Sequence, residues 1–582
     1  MSESVNDLGT KVQNGEWIGV IGSPSYSHSL GADLLEGAYE KGIVGNFCIT
    51  ESKQDGIPIY ILGQVVSVSL ANPYVERHSV RKITSVRGRA PPLTEQHDVR
   101  LMDILVGSVY SWKDGKILPD ELGSVPSTGT KIYLLNQEIV DELVREQTGI
   151  FYVGKLYNTD IYLPMFFKHF GKDGGLGEGY HIGIFGKSGS GKSYLARMLI
   201  SVYAKFKEMS VLALDPVGEY AREVRNKGPL LDLLGNVGRV PEMYPISGIC
   251  LSSPTSFQRI LLRSGFLHQL GVVTDENKQN TLDLIETFLT QPAARPPLTY
   301  GIQTVQGQVP INHQAAFNNL LDYLGQKIDQ IYVSKDPQQR VLGNIQNRRQ
   351  VLYDIWSSVA ELFVPTQGKV KIDSLIERIC QQKCIVIIDV SEAAVTSRIF
   401  WGPEVMAIVL NEIFTKLRTA AETLYRREEL LNLLVVVDEA HRFIPSERPA
   451  DEDFETLKVT LTTAARETRK YGFGWLFVST SIAGLEFEVL KQMRICFFGY
   501  GLSWGGEIRA MRELIGEGRY LDLYQSFRDP ATLLTMGGKQ YPFMVYGPVS
   551  PLSVSGAPLF FNALDYFNEF PAIDQRKSVL PK

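Results

Sequence analysis

Gly186-Lys187-Ser188-Gly189-Ser190-Gly191-Lys192-Ser193 matches G-x-x-x-x-G-K-[ST] where an apolar strand pattern, residues 182–185, gives way to a helical one. On the helical side Leu195, Met198, Leu199 and Val202 fall at i, i+3, i+4 and i+7. Strand, glycine-rich turn and helix in that order make a phosphate-binding loop rather than a bare Gly/Ser turn. Its glycines let backbone N–H groups close around phosphate oxygens, and the helix N-terminus adds its positive end. Gly186, Lys187, Ser188, Gly189, Ser190, Gly191, Lys192 and Ser193 are therefore the candidate ATP-binding residues. In such a loop Lys192 reaches the β- and γ-phosphates and serves catalysis, and Ser193 is a ligand of Mg²⁺.

Working outward, strand patterns recur at residues 211–214, 385–390, 433–437 and 475–478, separated by long helical stretches. Strands alternating with helices around a phosphate loop predict an α/β fold with a mostly parallel sheet covered on both faces. Residues 256–365 read as mostly helical, interrupted by a Pro/Gln/Gly-rich stretch at 291–313, and form a helical insertion. The first 165 residues read instead as short strands at 17–21, 58–70, 101–110 and 131–135 between turn signals. Within the second, Val66, Val68 and Leu70 alternate with Ser67 and Ser69, the period of a half-buried strand. A small β-barrel is expected, joined through the glycine-rich tract 171–179 as a flexible link. The expected organisation is a barrel at 1–165, nucleotide-binding core at 166–255 and 366–545, helical insertion at 256–365 and a C-terminal tail at 546–582.

Composition sets the frame for these motifs. With 582 residues, 44% of them hydrophobic and 21% charged, the chain has the make-up of an ordinary globular protein with a large core. Apolar runs are strand-sized, far short of the ~18 residues needed to span a bilayer, and the first residues lack a secretory pattern, so a cytoplasmic, membrane-free protein is expected. Five scattered cysteines suggest free thiols, since Cys380 and Cys384 have no second pair to complete a zinc site. A net charge of −5 gives no global nucleic-acid footprint, so DNA contact would need a local basic surface. Arg340, Arg348 and Arg349 are candidates for such a surface, although a solvated helix face is the simpler reading of them.

Residues 430–437 form a buried-strand pattern ending in Asp438-Glu439. A strand of this kind sets acids beside the phosphates. Asp438 then belongs to the Mg²⁺ shell, and Glu439 orients and deprotonates the attacking water. In 451–470, Phe454, Leu457, Leu461 and Ala465 make an apolar helical stripe, with Arg466 and Arg469 on another face. These arginines are candidates to reach a neighbouring subunit's γ-phosphate. Cations in a helix's last turn are also favoured by its dipole, so spacing alone leaves both readings open. Ser479, Thr480 and Ser481 follow a strand at its carboxyl end, where a hydroxyl can sense a phosphate or position water, or simply serve a turn.

Taken together, Asp215-Pro216-Val217-Gly218-Glu219-Tyr220, Val437-Asp438-Glu439-Ala440-His441-Arg442-Phe443-Ile444-Pro445 and Arg466-Glu467-Thr468-Arg469-Lys470-Tyr471-Gly472 resemble the HerA family of the HerA/FtsK ATPases in order and spacing. Tyr152-Val153-Gly154-Lys155-Leu156 resembles the end of that family's N-terminal barrel, the HAS-barrel, and residues 126–132 its preceding strand. The resemblance implies a RecA-like P-loop NTPase core and a homohexameric ring. It also implies ATP bound between subunits and double-stranded DNA pumped through the pore as by a translocase or helicase. A partner is implied as well, a nuclease or other effector docked on the barrel face, in DNA-end processing or antiviral defence. Carried over, Lys192, Ser193, Asp438 and Glu439 keep the roles above and Arg466 or Arg469 acts across the interface. Two positions depart from the family pattern, Val217 where His is usual and Thr480 where Gln is usual. A hydroxyl reaches less far than an amide, which leaves slow or partner-dependent hydrolysis as an open expectation. The competing expectation is therefore a nucleotide-gated scaffold ring that regulates an effector without productive translocation.

Overall fold

A computed structural model provides the structure and describes residues 7–76, 78–89, 93–290, 302–304, 307–366, 368–396, 398–533 and 540–576. The N-terminal unit contains β1 (Trp17–Ile21), β2 (Ser29–Leu34), β3 (Phe47–Gln54), β4 (Ile57–Ala71), β5 (Val99–Lys113), β6 (Lys116–Asp120) and β7 (Lys131–Leu134). They pair in the order β2-β1-β7-β3-β4-β5-β6, and β2 also pairs with β5, so six strands close into a barrel and β6 extends one edge. Closure leaves the six without a free edge. Ile18, Leu30, Ile61, Met102, Ile104 and Ile132 fill the interior. The register of β4 against β5 shifts between Val65 and Ser67, which sends Val66 to the ATPase-side core while Val68 packs against the barrel interior. The alternation expected through Leu70 ends there, with Leu70 64% exposed.

The second unit holds β8 (Ile150–Leu156), β9 (Tyr162–Phe166), β10 (His181–Phe185), β11 (Ser210–Asp215) and β12 (Pro241–Pro245). Two small pairs follow, β13 (Ile249–Cys250) with β16 (Val370–Lys371) and β14 (Ile302–Thr304) with β15 (Gly307–Val309). The unit is completed by β17 (Ile385–Asp389), β18 (Leu433–Val437), β19 (Phe473–Ser479), β20 (Met493–Gly499), β21 (Tyr541–Tyr546) and β22 (Leu559–Ala563). The eleven-stranded sheet runs β12-β17-β11-β18-β19-β10-β20-β21-β22-β8-β9. Its pairings are parallel from β12 to β20 and antiparallel from β20 to β9. Parallel strands buried on both faces must be apolar throughout, and they are: Leu433, Val435 and Val437 enter one core cluster, Leu434 and Val436 the other.

Three expectations change here. β8 and β9, read as the end of the barrel, pair with β22 and lie on the large sheet, because the barrel has already closed through β7. Nor is the stretch after 546 merely a tail, since β22 belongs to the large sheet and Phe570, in the Glu569–Arg576 helix, is buried in its core; residues 577–582 lie outside the described chain. The glycine-rich tract is also pinned: Leu176 N–H donates to His169 O (3.0 Å) and Gly179 N–H to Arg469 O (2.8 Å). Between β13 and β16 helices from Pro254–Arg263 to Arg349–Ala360 pack around Phe257, Phe266, Phe317 and Trp356 and share the core of one sheet face. Part of the 291–313 stretch lies outside the described residues. Arg340, Arg348 and Arg349 are exposed there, Arg348 donating to Gln269 (2.9 Å) and Arg349 pairing with Asp322 (3.4 Å).

Barrel and core are held together by buried polar contacts. The Gln64 amide donates to Gly45 O (2.6 Å) and Phe560 O (3.2 Å) and accepts from Phe560 N–H (2.9 Å). The Ser108 and Tyr110 hydroxyls both donate to Pro551 O at 2.7 Å.

Candidate functional site

β10 delivers the phosphate loop to the carboxyl edge of the parallel sheet, and the Lys192–Tyr203 helix leaves from it. Gly191, at φ +91°, precedes the helix with no side-chain cap, so its first N–H groups stay available to an anion. A Cβ at Gly191 would stand 2.7 Å from the Tyr541 ring, so the loop is pressed against β21 as well as bent. Lys187 N–H donates to Tyr500 O (2.9 Å), fixing the loop to the end of β20. The Lys192 ammonium donates to Lys187 O (3.1 Å), folding back over the loop. Burial lowers its pKa, opposed by the charges of Glu439, Asp438 and Glu219. The Ser190 hydroxyl is buried and has no partner among the described residues.

β18 ends on the same edge two strands away and supplies the acidic pair. Burial pushes the Asp438 carboxyl up to about 6, reinforced by nearby carboxylates and opposed by the hydrogen bond it accepts from Glu439 N–H (2.8 Å). Glu439 adopts left-handed backbone angles, φ +47° and ψ +44°, an uncommon and strained conformation for a residue with a Cβ. Its carboxylate is 3.5 Å from His441 Nδ1, which in turn lies 3.2 Å from the Ser479 hydroxyl at the end of β19. Thr480 follows directly.

These elements enclose a cavity of about 360 Å³ lined by Ser188, Gly189, Gly191, Lys192, Ser193, Asp438, Glu439 and Thr480. The sequence candidates of loop, acidic strand and hydroxyl strand thus meet in one place. The unpartnered Ser190 hydroxyl, the uncapped helix and the buried lysine suit the loop to phosphate. The buried Asp438 carboxylate and the Ser193 hydroxyl, both lining the cavity, are donors suited to Mg²⁺.

Arg466 and Arg469 lie elsewhere. The Glu452–Glu467 helix runs from the carboxyl edge back to the amino edge, so its last turn and the Thr468–Tyr471 turn precede β19. Arg469 pairs with Glu178 (2.6 Å), ahead of β10, while Arg466 is exposed and makes no ion pair among the described residues. Val217 is 45% exposed and does not line the cavity.

Sequence reasoning assigned no role to Tyr194, Arg197, Glu219 or Tyr541, which also line the cavity. Arg197, five residues beyond Lys192 on the same helix, pairs with Glu219 (3.1 Å) and Glu223 (2.8 Å). Asp215 caps the Glu219–Arg225 helix by accepting from Glu219 N–H (2.9 Å) and Ala221 N–H (2.8 Å), which places Glu219 at the cavity. The spacing Lys192 to Arg197 and the acidic turn were local signals; nothing local ties Tyr541 to the loop.

The family model "Helicase HerA, central domain" matches residues 179–244, which span the phosphate loop and the Asp215 turn. The chain is 24% identical over 449 residues to "DNA double-strand break repair helicase HerA" of Sulfurisphaera tokodaii, covering 74% of each. Among solved structures, VirB4 of Thermoanaerobacter pseudethanolicus aligns with a TM-score of 0.37 at 14% identity, covering 72% of this chain and 98% of that one. The genome packaging NTPase B204 of Sulfolobus turreted icosahedral virus 2 aligns with 0.28 at 10% identity, covering 66% and 98%. The HerA resemblance drawn from the motifs is borne out, and the chain is a HerA-like P-loop enzyme that hydrolyses ATP.

Proposed function

We propose that the chain is an ATP-driven translocase or helicase of double-stranded DNA that works as a ring, a hexamer, with a nuclease or other effector docked on its barrel. The observation that carries this reading is the convergence of phosphate loop, acidic pair and hydroxyl strand on one cavity, in a chain similar to a DNA break repair helicase. Whether the pathway is DNA-end processing or antiviral defence follows from the effector.

The loop from Gly186 to Ser193 holds the phosphates with backbone N–H groups, and Lys192 bridges toward the transferring one. Ser193 and Asp438 would hold Mg²⁺, which when bound neutralises charge on the phosphates. The Glu439 carboxylate, fixed by its backbone and steadied by His441, accepts the proton of the attacking water. The Thr480 hydroxyl donates one hydrogen bond at the open side. Arg466 or Arg469, at the far edge of the sheet, serves a neighbouring copy rather than its own site. Arg466 is the better placed, being unpaired among the described residues.

Steady-state ATP hydrolysis with and without duplex DNA, beside Glu439→Gln and with assembly size recorded, tests the reading. DNA-stimulated turnover by a hexamer, lost in the variant while nucleotide still binds, is expected; retained turnover in Glu439→Gln would sink the mechanism. The short reach of Thr480 favours one rival, the nucleotide-gated scaffold. Assembly with tight ATP binding but no response to DNA would establish it.

A further inference from the structure

Between β4 and β5 the barrel carries a helix, His78–Arg87, that its closure does not need. Residues 77–94 contain Arg77, Arg81, Lys82, Arg87 and Arg89 and no Asp or Glu, in a chain of net charge −5. Arg81, Lys82, Arg87 and Arg89 are all exposed, and none makes an ion pair with another described residue. Other cations, such as Arg197, Arg263 and Arg378, are neutralised by carboxylates. A block of like charge left uncompensated repels itself unless a polyanion covers it.

The distribution of the cations separates the possible polyanions. At roughly 100° per residue, Arg81, Lys82 and Arg87 project from three sides of the helix. Val86, 76% exposed, and Ile83, 45% exposed, share only a narrow strip that Lys82 and Arg87 flank at about 40° on either side. A helix lying on a lipid surface needs its apolar face segregated from its cations. One wrapped by, or laid along, a phosphate backbone does not. Three of the four exposed cations are arginines, whose planar guanidinium pairs bidentately with phosphate.

We propose that the His78–Arg87 helix and the turn to Arg89 grip the phosphate backbone of duplex DNA. The identity of the polyanion rests on the translocase reading above; the charge and its exposure stand without it. The hairpin that carries the helix is also bonded to the ATPase unit, through Asp103 to Arg519 and through Gln64 to Phe560. DNA held there bears on the element that joins barrel to core.

The test is duplex-DNA affinity as a function of salt, by fluorescence anisotropy, for the full chain and for Arg81→Ala/Lys82→Ala/Arg87→Ala/Arg89→Ala. Basal ATP turnover without DNA, expected unchanged, reports folding. The variant should bind about tenfold or more weakly, with a log–log salt slope smaller by about two to four. Arg81→Lys/Arg87→Lys/Arg89→Lys should keep most of the wild-type slope. Wild-type affinity and slope in the alanine variant, with the parent binding DNA, would overturn this surface alone. A parent that binds no duplex would sink the translocase reading together with it. Loss of poly-glutamate binding with DNA binding intact would assign the helix to an acidic protein instead.

Discussion

Asp438 is held in a place that costs the ligand-free fold. Its carboxyl, raised by burial to about 6 from an ordinary value near 3.8, is ionised above pH 6 in both folded and unfolded chains, and the folded one bears the penalty. As pH falls below 6 the folded form takes up its proton first, so this penalty is relieved; below the ordinary value both forms are protonated. Asp438→Asn should therefore stabilise the metal-free, nucleotide-free protein at pH 8 by up to about 3 kcal/mol, with little gain at pH 4, in denaturant titrations. Equal stability of the two at pH 8 would mean the carboxyl is not desolvated. Gly191→Ala faces two obstacles, a left-handed backbone and the Tyr541 ring. It should weaken nucleotide binding at least tenfold, read by anisotropy of a labelled nucleotide, whereas Gly189→Ala, with open space at its Cβ, should do less.

At the scale of elements, β19 is the keystone of the sheet. Trp475 is fully buried, stacks between Phe473 and Phe477 at 5.0 and 5.4 Å, and lies beside His181 of β10 in the register. Trp475→Ala should cost about 3–5 kcal/mol. Because β19 aligns both β10 and β18, ATP affinity should fall along with the denaturation midpoint. Gln64→Ala removes three buried hydrogen bonds, two of which stitch barrel to core, and should cost about 2–3 kcal/mol, measured as a loss in cooperativity or midpoint. Elements of this kind divide by how far the sequence could reveal them. The phosphate loop, the β18 strand with its acids and the Glu452–Glu467 helix were legible, because strand period, helix period and turn chemistry are written within ten or twenty residues. β8, β9 and β22 were not, because a short apolar strand carries no mark of which sheet it joins. That choice lies in pairings such as Phe561 with Leu156 across more than half the chain. The cavity's loop, acids and hydroxyl were likewise legible one by one. Tyr541 was not, since it reaches the loop only through the β20–β21 pairing.

At the scale of the whole molecule, the two arginines on the amino edge and the cavity on the carboxyl edge cannot serve each other within one copy. If Arg466 completes a neighbour's site, Arg466→Ala and Lys192→Ala chains mixed together should recover some turnover that neither has alone, since a mixed interface pairs an intact arginine with an intact loop. Strictly additive loss over a full mixing series would place Arg466 outside catalysis.

The strand that presents the phosphate loop, β10, lies between β19 and β20, both drawn from near residues 473–499, and the sheet is extended further by β21 and β22. A ribosome translating this message releases residues 181–193 long before it releases the strands on either side of them. The barrel can fold early, as its strands are contiguous in the chain, but the ATP site waits until the strands beyond residue 540 have emerged. A polypeptide cut short by a premature stop would carry a complete barrel with no competent ATPase behind it.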